Sequence, residues 1–248
     1  MLRASSVRTA VTVAALLLAP ACATQPQFGM EAPGRPAVTW QNENDDSSPA
    51  PDVQRQKETE RELLAELHAE ERKGDDTLAM ASTLYSLAIL RRQQGEYTEA
   101  EKLYRRALEI RERKEGPDHP DVATTLNNLA GLEVAEGNYD AAQPLLERAL
   151  TIRQTALGTE HVLTAESMSN LALLYAAQGN AAAAEPLYQQ AISVLEKEDG
   201  SRKGELDRVL DNYAAMLHET GRDAEADAFE ARARVIRAAA ERGKDASH

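Results

Sequence analysis

The chain has 248 residues, a length that allows one or two globular domains or one short solenoid. Aromatic residues make up only 4% of it while alanine and leucine are abundant, so closely packed helices are favoured over a core of aromatic and β-branched side chains. The formal net charge of −13 argues against a nucleic-acid partner, because neutralising phosphates requires a basic face.

The first 21 residues are predicted to be a signal peptide. Arg3 and Arg8 precede an apolar run over 10–19, which is far shorter than the ~20 residues of a membrane-spanning helix. Small residues then surround position 22, where a signal peptidase would cut. We therefore expect the protein to be exported.

Cys22 is the single cysteine of the sequence and lies at the expected cleavage point. Its surroundings resemble a bacterial lipoprotein signal, in which this cysteine is lipidated. Because Ala23 and not Asp follows it, the resemblance implies the periplasmic side of the outer membrane. The alternative is ordinary cleavage nearby, which leaves a soluble periplasmic protein. Neither case allows a disulfide within one chain.

Two segments precede the repeats. Residues 22–52 are rich in Gln, Asn, Asp, Ser and Pro, so they are predicted to form a disordered acidic and polar tether. Residues 53–76 are predicted to contain a charged N-terminal helix with a narrow apolar stripe at Leu63, Leu64 and Leu67.

From residue 77 the sequence repeats every 42 positions, as in a solenoid. The register is marked by four glycines and by three columns of alanine. The residues are Gly95, Gly137, Gly179 and Gly221; Ala88, Ala130, Ala172 and Ala214; Ala100, Ala142, Ala184 and Ala226; and Ala107, Ala149, Ala191 and Ala233. We expect a solenoid over 77–242, with units at about 78–119, 120–161, 162–203 and 204–242, and a disordered tail at 243–248.

Each unit is predicted to consist of two helices, A and B. In the first unit the apolar spacing predicts helix A over 78–94 and helix B over 98–113. Gly95 follows helix A, where a residue able to adopt positive φ is often needed. The repeated alanines are expected where helices A and B cross, since larger side chains there would separate the helices. The fold class is therefore all-α.

Four stretches carry a resemblance to a known family. The patterns LYSLA at 84–88, GEYTEA at 95–100 and YRRA at 104–107 resemble the tetratricopeptide repeat (TPR). The 42-residue period and the stretch GPDHPDVATTLNNLA at 116–130 resemble the kinesin-light-chain type of this repeat. The resemblance covers about 77–238 and implies a right-handed α-solenoid of about four units, with helix A of each unit on a concave face. Glu230 replaces an apolar or aromatic residue in the fourth unit, as expected of a polar terminal cap.

The resemblance also implies which side chains face a bound peptide. The predicted peptide-binding residues are Tyr85, Ser86, Arg92, Asn127, Asn128, Asn170, Arg208 and Asn212. An asparagine amide offers both a donor and an acceptor, so a column of them could pair with the main chain of an extended peptide. The alternative is that these asparagines cap or bridge neighbouring helices, because asparagine is unfavourable inside a helix without such a partner.

We predict no catalytic, metal or cofactor site. His119 and His161 are 42 residues apart in loops of different units, which favours hydrogen bonding to the next helix start over metal binding. His218-Glu219 begins like a zinc-protease helix, but Arg222 stands where the second histidine is required. No Gly-x-Ser-x-Gly, phosphate loop or cysteine nucleophile is found.

The sequence thus predicts a non-enzymatic protein–protein interaction scaffold of the bacterial cell envelope that binds extended peptide segments of partner proteins. The alternative is a self-assembling structural or pilotin-like lipoprotein of a secretion or pilus complex. Membrane contact is expected only through a lipid on Cys22, and no nucleic-acid partner is expected.

Overall fold

A computed structural model of the protein describes residues 51–197 and 203–245. The predicted signal peptide, Cys22 and nearly all of the tether lie outside these residues. Within the two ranges the structure contains nine helices and no strand, which confirms the all-α prediction. The helices are α1 (Pro51–Glu71), α2 (Leu78–Gln93), α3 (Tyr97–Glu115), α4 (Pro120–Ala135), α5 (Tyr139–Leu157), α6 (Val162–Ala177), α7 (Ala181–Glu196), α8 (Lys203–Glu219) and α9 (Asp223–Asp245).

Two helix ends differ from the expected segment boundaries. Helix α1 begins at Pro51, inside the predicted tether, because proline is favoured in the first turn of a helix, where no intrahelical donor is needed. Helix α9 continues to Asp245, into the segment 243–248 that was predicted to be a disordered tail.

The two loop histidines mark the starts of α4 and α6. His119 Nδ1 accepts a hydrogen bond from the backbone N–H of Asp121 at 3.2 Å, and His161 Nδ1 accepts one from Leu163 at 3.1 Å. Each ring thereby satisfies one of the amides left without a partner in the first turn of a helix. The predicted role of these histidines in binding the next helix start is confirmed.

The alanine columns form the helix crossings. All twelve alanines are fully buried. Each helix A packs against helix B of its own unit, and helix B packs against helix A of the next unit. A solenoid of stacked helical hairpins results, as predicted. Helix α1 covers its first unit through the buried Leu67 and the half-buried Leu63 and Leu64. Among the helices of the described ranges, none is both long and apolar enough to cross a bilayer.

Replacing Gly179 by alanine is expected to lower the free energy of unfolding by about 1 kcal/mol. Gly179 follows α6 with φ of 75°, in the left-handed region, and its N–H donates to Ala176 O at 2.8 Å. No atom lies within 4 Å of an added Cβ, so backbone strain alone causes the loss. Urea unfolding followed by circular dichroism measures it. The control is Gln178→Ala at the preceding residue, whose φ of −79° suits alanine. Equal unfolding midpoints for the two variants would contradict the prediction.

Candidate functional site

The predicted peptide-binding residues all lie on α2, α4, α6 and α8. We call the side of these four helices that carries the predicted residues the helix A face. Tyr85, Ser86, Arg92 and Arg208 are half-buried on this face. The four asparagines are covered: their exposed fractions are 1% for Asn127, 8% for Asn128, 2% for Asn170 and 2% for Asn212. The asparagine amides therefore lie at the floor of the helix A face, and the half-buried residues lie nearer to solvent.

Asn128 joins the first two units at this floor. Its Nδ2 donates to the Tyr85 hydroxyl at 2.8 Å and to Thr124 O at 3.0 Å, and its Oδ1 accepts from the Tyr104 hydroxyl at 3.5 Å. The Tyr85 and Tyr104 rings meet edge to face, with centroids 5.5 Å apart, and the Arg111 guanidinium lies 4.9 Å from the centroid of the Tyr85 ring. Burial raises the pKa of both tyrosines, so both hydroxyls stay protonated and able to donate.

Asn127 makes the corresponding link one unit further on. Its Nδ2 donates to Ser167 Oγ on α6 at 3.0 Å. For Asn127 and Asn128 the structure therefore shows the bridging role that the sequence left as an alternative. Peptide binding by these two amides stays a prediction.

Two buried arginines of helix B were missed in the sequence. Arg111 Nη1 donates to Asp121 O at 3.0 Å and to Thr125 Oγ1 at 2.7 Å. Arg153, 42 residues later, repeats the geometry with Leu163 O at 2.6 Å and Ser167 Oγ at 3.0 Å. The shared register was the available signal, but an arginine on a helix is usually solvated and therefore did not suggest a core position.

Arg153 is the most enclosed charged side chain in the described part of the chain, with an exposed fraction of 1%. In addition to its contacts with α6, its Nη2 donates to Thr124 Oγ1 on α4 at 3.2 Å, and its Nη1 lies 3.4 Å from Glu166 Oε2. Burial lowers the pKa of Arg153, and the Glu166 carboxylate opposes that effect. Arg153 thus connects α4, α5 and α6 beneath the helix A face.

The junction between the last two units, where α6 neighbours α8, has other residues at the positions that form the hydrogen bonds around Asn128. Ser169 stands where the first unit has Tyr85, and Arg208 stands where the second has Thr124. The Tyr188 ring stacks on Tyr213 with centroids 5.5 Å apart, and burial raises the pKa of its hydroxyl. The polar floor built around Asn128 is therefore not reproduced around Asn212.

Two clusters in the described residues combine histidine with carboxylates whose atoms lie within 4.8 Å of one another: Glu115, His119 and Asp121, and His218, Asp227 and Glu230. His119 Nδ1 is already engaged as a helix cap. His218 Nδ1 lies 2.8 Å from Asp223 Oδ1 and its Nε2 lies 3.4 Å from Glu230 Oε1. The imidazole rings of His119 and His218 therefore both have hydrogen-bond or ion-pair partners within the protein.

The last unit is expected to lose stability as pH rises above the ordinary histidine value near 6.5. The hydrogen bond to Asp223, with a smaller contribution from Glu230, raises the pKa of His218 in the folded protein. A raised folded pKa stabilises fully below the unfolded value and ceases to do so once pH exceeds the folded value. A histidine NMR titration of the native chain and of the Asp223→Asn variant measures the folded-state pKa of His218, on which this loss of stability depends.

The Asp223→Asn variant is expected to shift the His218 pKa downward, whereas Asp140→Asn, an exposed carboxylate on α5, leaves it unchanged. An identical His218 titration in the native chain and Asp223→Asn would contradict the assignment.

A model of the tetratricopeptide repeat family matches three overlapping segments, 79–155, 121–197 and 164–239, which together cover more than half of the chain. The chain belongs to the tetratricopeptide repeat family. This TPR assignment includes every residue of the predicted peptide-binding set. A TPR scaffold is consistent with protein–protein interaction. No curated protein sequence is significantly similar to the TPR chain.

The solved structures that share the fold include the following three. BtubC (BKLC) from P. vanneervenii has a TM-score of 0.67 and 22% identity, covering 77% of this chain and 78% of that one. A protein from Podosopora anserina with nearly identical TPR-like repeats, described as a kinesin light chain, gives 0.61 and 21%, with 77% and 91% covered. RapI in its apo form gives 0.57 and 19%, with 77% and 65% covered. Such identities establish the fold alone, and the predicted kinesin-light-chain-like TPR solenoid is confirmed.

Proposed function

We propose that this TPR protein is a non-enzymatic scaffold of the bacterial cell envelope that holds extended segments of partner proteins against the helix A face. The observation that carries the proposal is the two-level construction of that face. Its floor is joined across units by Asn127, Asn128 and Arg153, while half-buried polar side chains lie above. A floor of this kind keeps the face preformed, which reduces the entropy lost on binding.

The side chains nearer to solvent suit an extended peptide more than a single charged ligand. Tyr85 and Ser86 offer hydroxyl groups, Arg92 and Arg208 are cationic, and Glu166 is anionic. Several short polar contacts along a rigid face are a recurring mode of peptide recognition. The mixed signs also argue against a uniformly basic groove for acidic tails.

Site-specific photo-crosslinking in the cell tests the face. A photoreactive residue is placed in the full chain at Ser86 or, as control, at Lys102, an exposed position on helix B of the same unit. We expect partner proteins to be captured from position 86 and not from 102. Equal capture from both positions would contradict the proposal, and capture of only a second copy of the chain from either would favour self-assembly instead.

The envelope location is part of the proposal and rests on the residues around the predicted signal. Arg3, Arg8 and the apolar run 10–19 support export, and the position of Cys22 supports a lipid anchor. Mass spectrometry of the mature N-terminus is expected to find a lipidated Cys22. A mature chain that begins at another residue without lipid would contradict the anchor, and an uncleaved Met1 would contradict export.

A further inference from the structure

The three junctions between consecutive units are not built alike. At the first junction, Arg111 Nη1 donates to Thr125 Oγ1 on the following helix A at 2.7 Å. At the second, Arg153 Nη1 donates to Ser167 Oγ at 3.0 Å, and both residues lie 42 positions after their counterparts. A hydrogen bond from a charged donor to a buried hydroxyl group depends on distance and direction. Each arginine–hydroxyl pair therefore favours one angle between the units that it joins.

The third junction, between the last two units, has an aliphatic pair at these two positions. Leu195 stands 42 residues after Arg153, and Val209 stands 42 residues after Ser167. Leu195 and Val209 are buried, with exposed fractions of 4% and 0%, and belong to one core cluster. Because apolar contacts are non-directional, they hold α7 and α8 together without fixing the angle between them.

The asparagine contact of the first junction is not repeated at the third. Asn128 Nδ2 donates to the Tyr85 hydroxyl in the preceding unit at 2.8 Å. Asn212 occupies the equivalent position of the last unit and has an exposed fraction of 2%, but neither its Nδ2 nor its Oδ1 has a hydrogen-bond partner. Burial of an amide without partners costs free energy, so Asn212 does not favour the observed packing of α8 over a slightly different one.

Side-chain contacts that link α7 to the last unit lie nearer to solvent. Glu185 accepts hydrogen bonds from Arg222 Nη1 and from the Tyr213 hydroxyl, each at 2.9 Å, and both members of its ion pair with Arg222 are half-buried. Glu196 pairs with Arg232, and both are exposed. Ion pairs between long, solvated side chains restrain geometry only weakly, because water competes with them.

The last unit is firmly joined within itself. The ring of Tyr213 on α8 packs on Phe229 of α9, with centroids 4.7 Å apart. Arg237 of α9 pairs with Asp211 and also lies 3.6 Å from Asp207 of α8, through Nη1 and Oδ2. Helices α8 and α9 should therefore move together and not separately.

We infer that the last unit, α8 and α9, is a movable end of the solenoid. It tilts as one body at the third junction by sliding of the aliphatic surfaces, while the arginine–hydroxyl pairs hold the first three units at fixed angles. Tilting of α8 relative to α6 changes the shape of the helix A face between the third and fourth units. The inference goes beyond the proposed function and does not depend on which partner the face binds.

Pulsed EPR distances between spin labels at equivalent exposed positions test the inference in the full chain with Cys22→Ser. One pair of labels, on Ser193→Cys and Val235→Cys, spans the third junction. The matched control, on Thr151→Cys and Ser193→Cys, spans the second junction with the same separation of 42 residues. We expect the distance distribution across the third junction to be at least about twice as broad, because sliding changes that distance. Distributions of equal width would overturn the inference.

A double variant tests whether the aliphatic pair is the cause. Leu195→Arg with Val209→Thr places the arginine–hydroxyl pair of the first junction at the third. We expect the distribution across the third junction to narrow to the width of the control, because a directional hydrogen bond then fixes the angle. A distribution that stays broad in a double variant of native helical content would contradict the role given to Leu195 and Val209.

The reverse change is made at the second junction. Arg153→Leu with Ser167→Val is expected to broaden the distribution between labels at positions 151 and 193, and an unchanged width in a folded variant would contradict the role given to the arginine–hydroxyl pair. If circular dichroism shows that neither double variant folds, the comparison of the two label pairs without these substitutions decides the inference by itself.

Discussion

Replacing Arg153 by alanine is expected to lower the free energy of unfolding by about 3–5 kcal/mol, the usual loss when one partner of a buried charged network is removed. Leu163 O, Ser167 Oγ and Thr124 Oγ1 each lose a donor, and a cavity opens between three helices. Urea unfolding followed by circular dichroism at equilibrium measures the loss. Because units contact only their neighbours, the damage should centre on the α4–α6 region.

Two variants separate the contributions to this loss. Arg148→Ala removes a half-buried arginine of the same helix, whose ion pair with Glu112 at 2.7 Å is expected to contribute at most about 1 kcal/mol. Arg153→Met keeps most of the side-chain volume but none of the hydrogen-bond donors. Its loss of unfolding free energy should therefore fall between the losses for Arg153→Ala and Arg148→Ala. A loss for Arg153→Ala as small as that for Arg148→Ala would show that the network does not hold the units together.

Enlarging Ala172 to leucine is expected to cost about 1–3 kcal/mol of unfolding free energy, because three more carbon atoms must be accommodated at a fully buried position. Ala172 lies on α6 within the core cluster that contains Ala184, Tyr188 and Ala191 of α7. The larger side chain must push α6 away from α7 or adopt a strained rotamer. Thermal unfolding followed by circular dichroism at 222 nm measures the effect.

Ala182→Leu makes the same change in the same hairpin at an exposed position of α7 and should be nearly neutral. If Ala172→Leu unfolds at the same temperature as Ala182→Leu, then close approach at the alanine columns does not determine the helix crossings. Comparing Ala172→Leu with Ala182→Leu also tests whether the alanines repeated every 42 residues lie at the helix crossings.

The asparagine column shows where sequence reasoning reached its limit. The sequence predicted Asn128, Asn170 and Asn212 at equivalent positions of helix A, and the structure has them on α4, α6 and α8, because equivalent positions of a repeat fold alike. It could not tell which of these asparagines has a hydrogen-bond partner in the neighbouring unit and which has none. That distinction depends on the residue one unit earlier: Tyr85 reaches Asn128, whereas Ser169 leaves Asn212 without a partner.

The sequence by itself determined the helices, their pairing and the solenoid, because the period of 42, the glycines after helix A and the alanine columns are local or strictly repeated features. Only the tertiary structure decided which polar side chains are covered and which of them have partners. Arg111 and Arg153 were missed for the same reason, since their partners lie on the following helix at distances that the packing of whole units sets. Hydrogen bonds require atoms to meet within a few tenths of an ångström, and a repeat pattern specifies faces but not such distances.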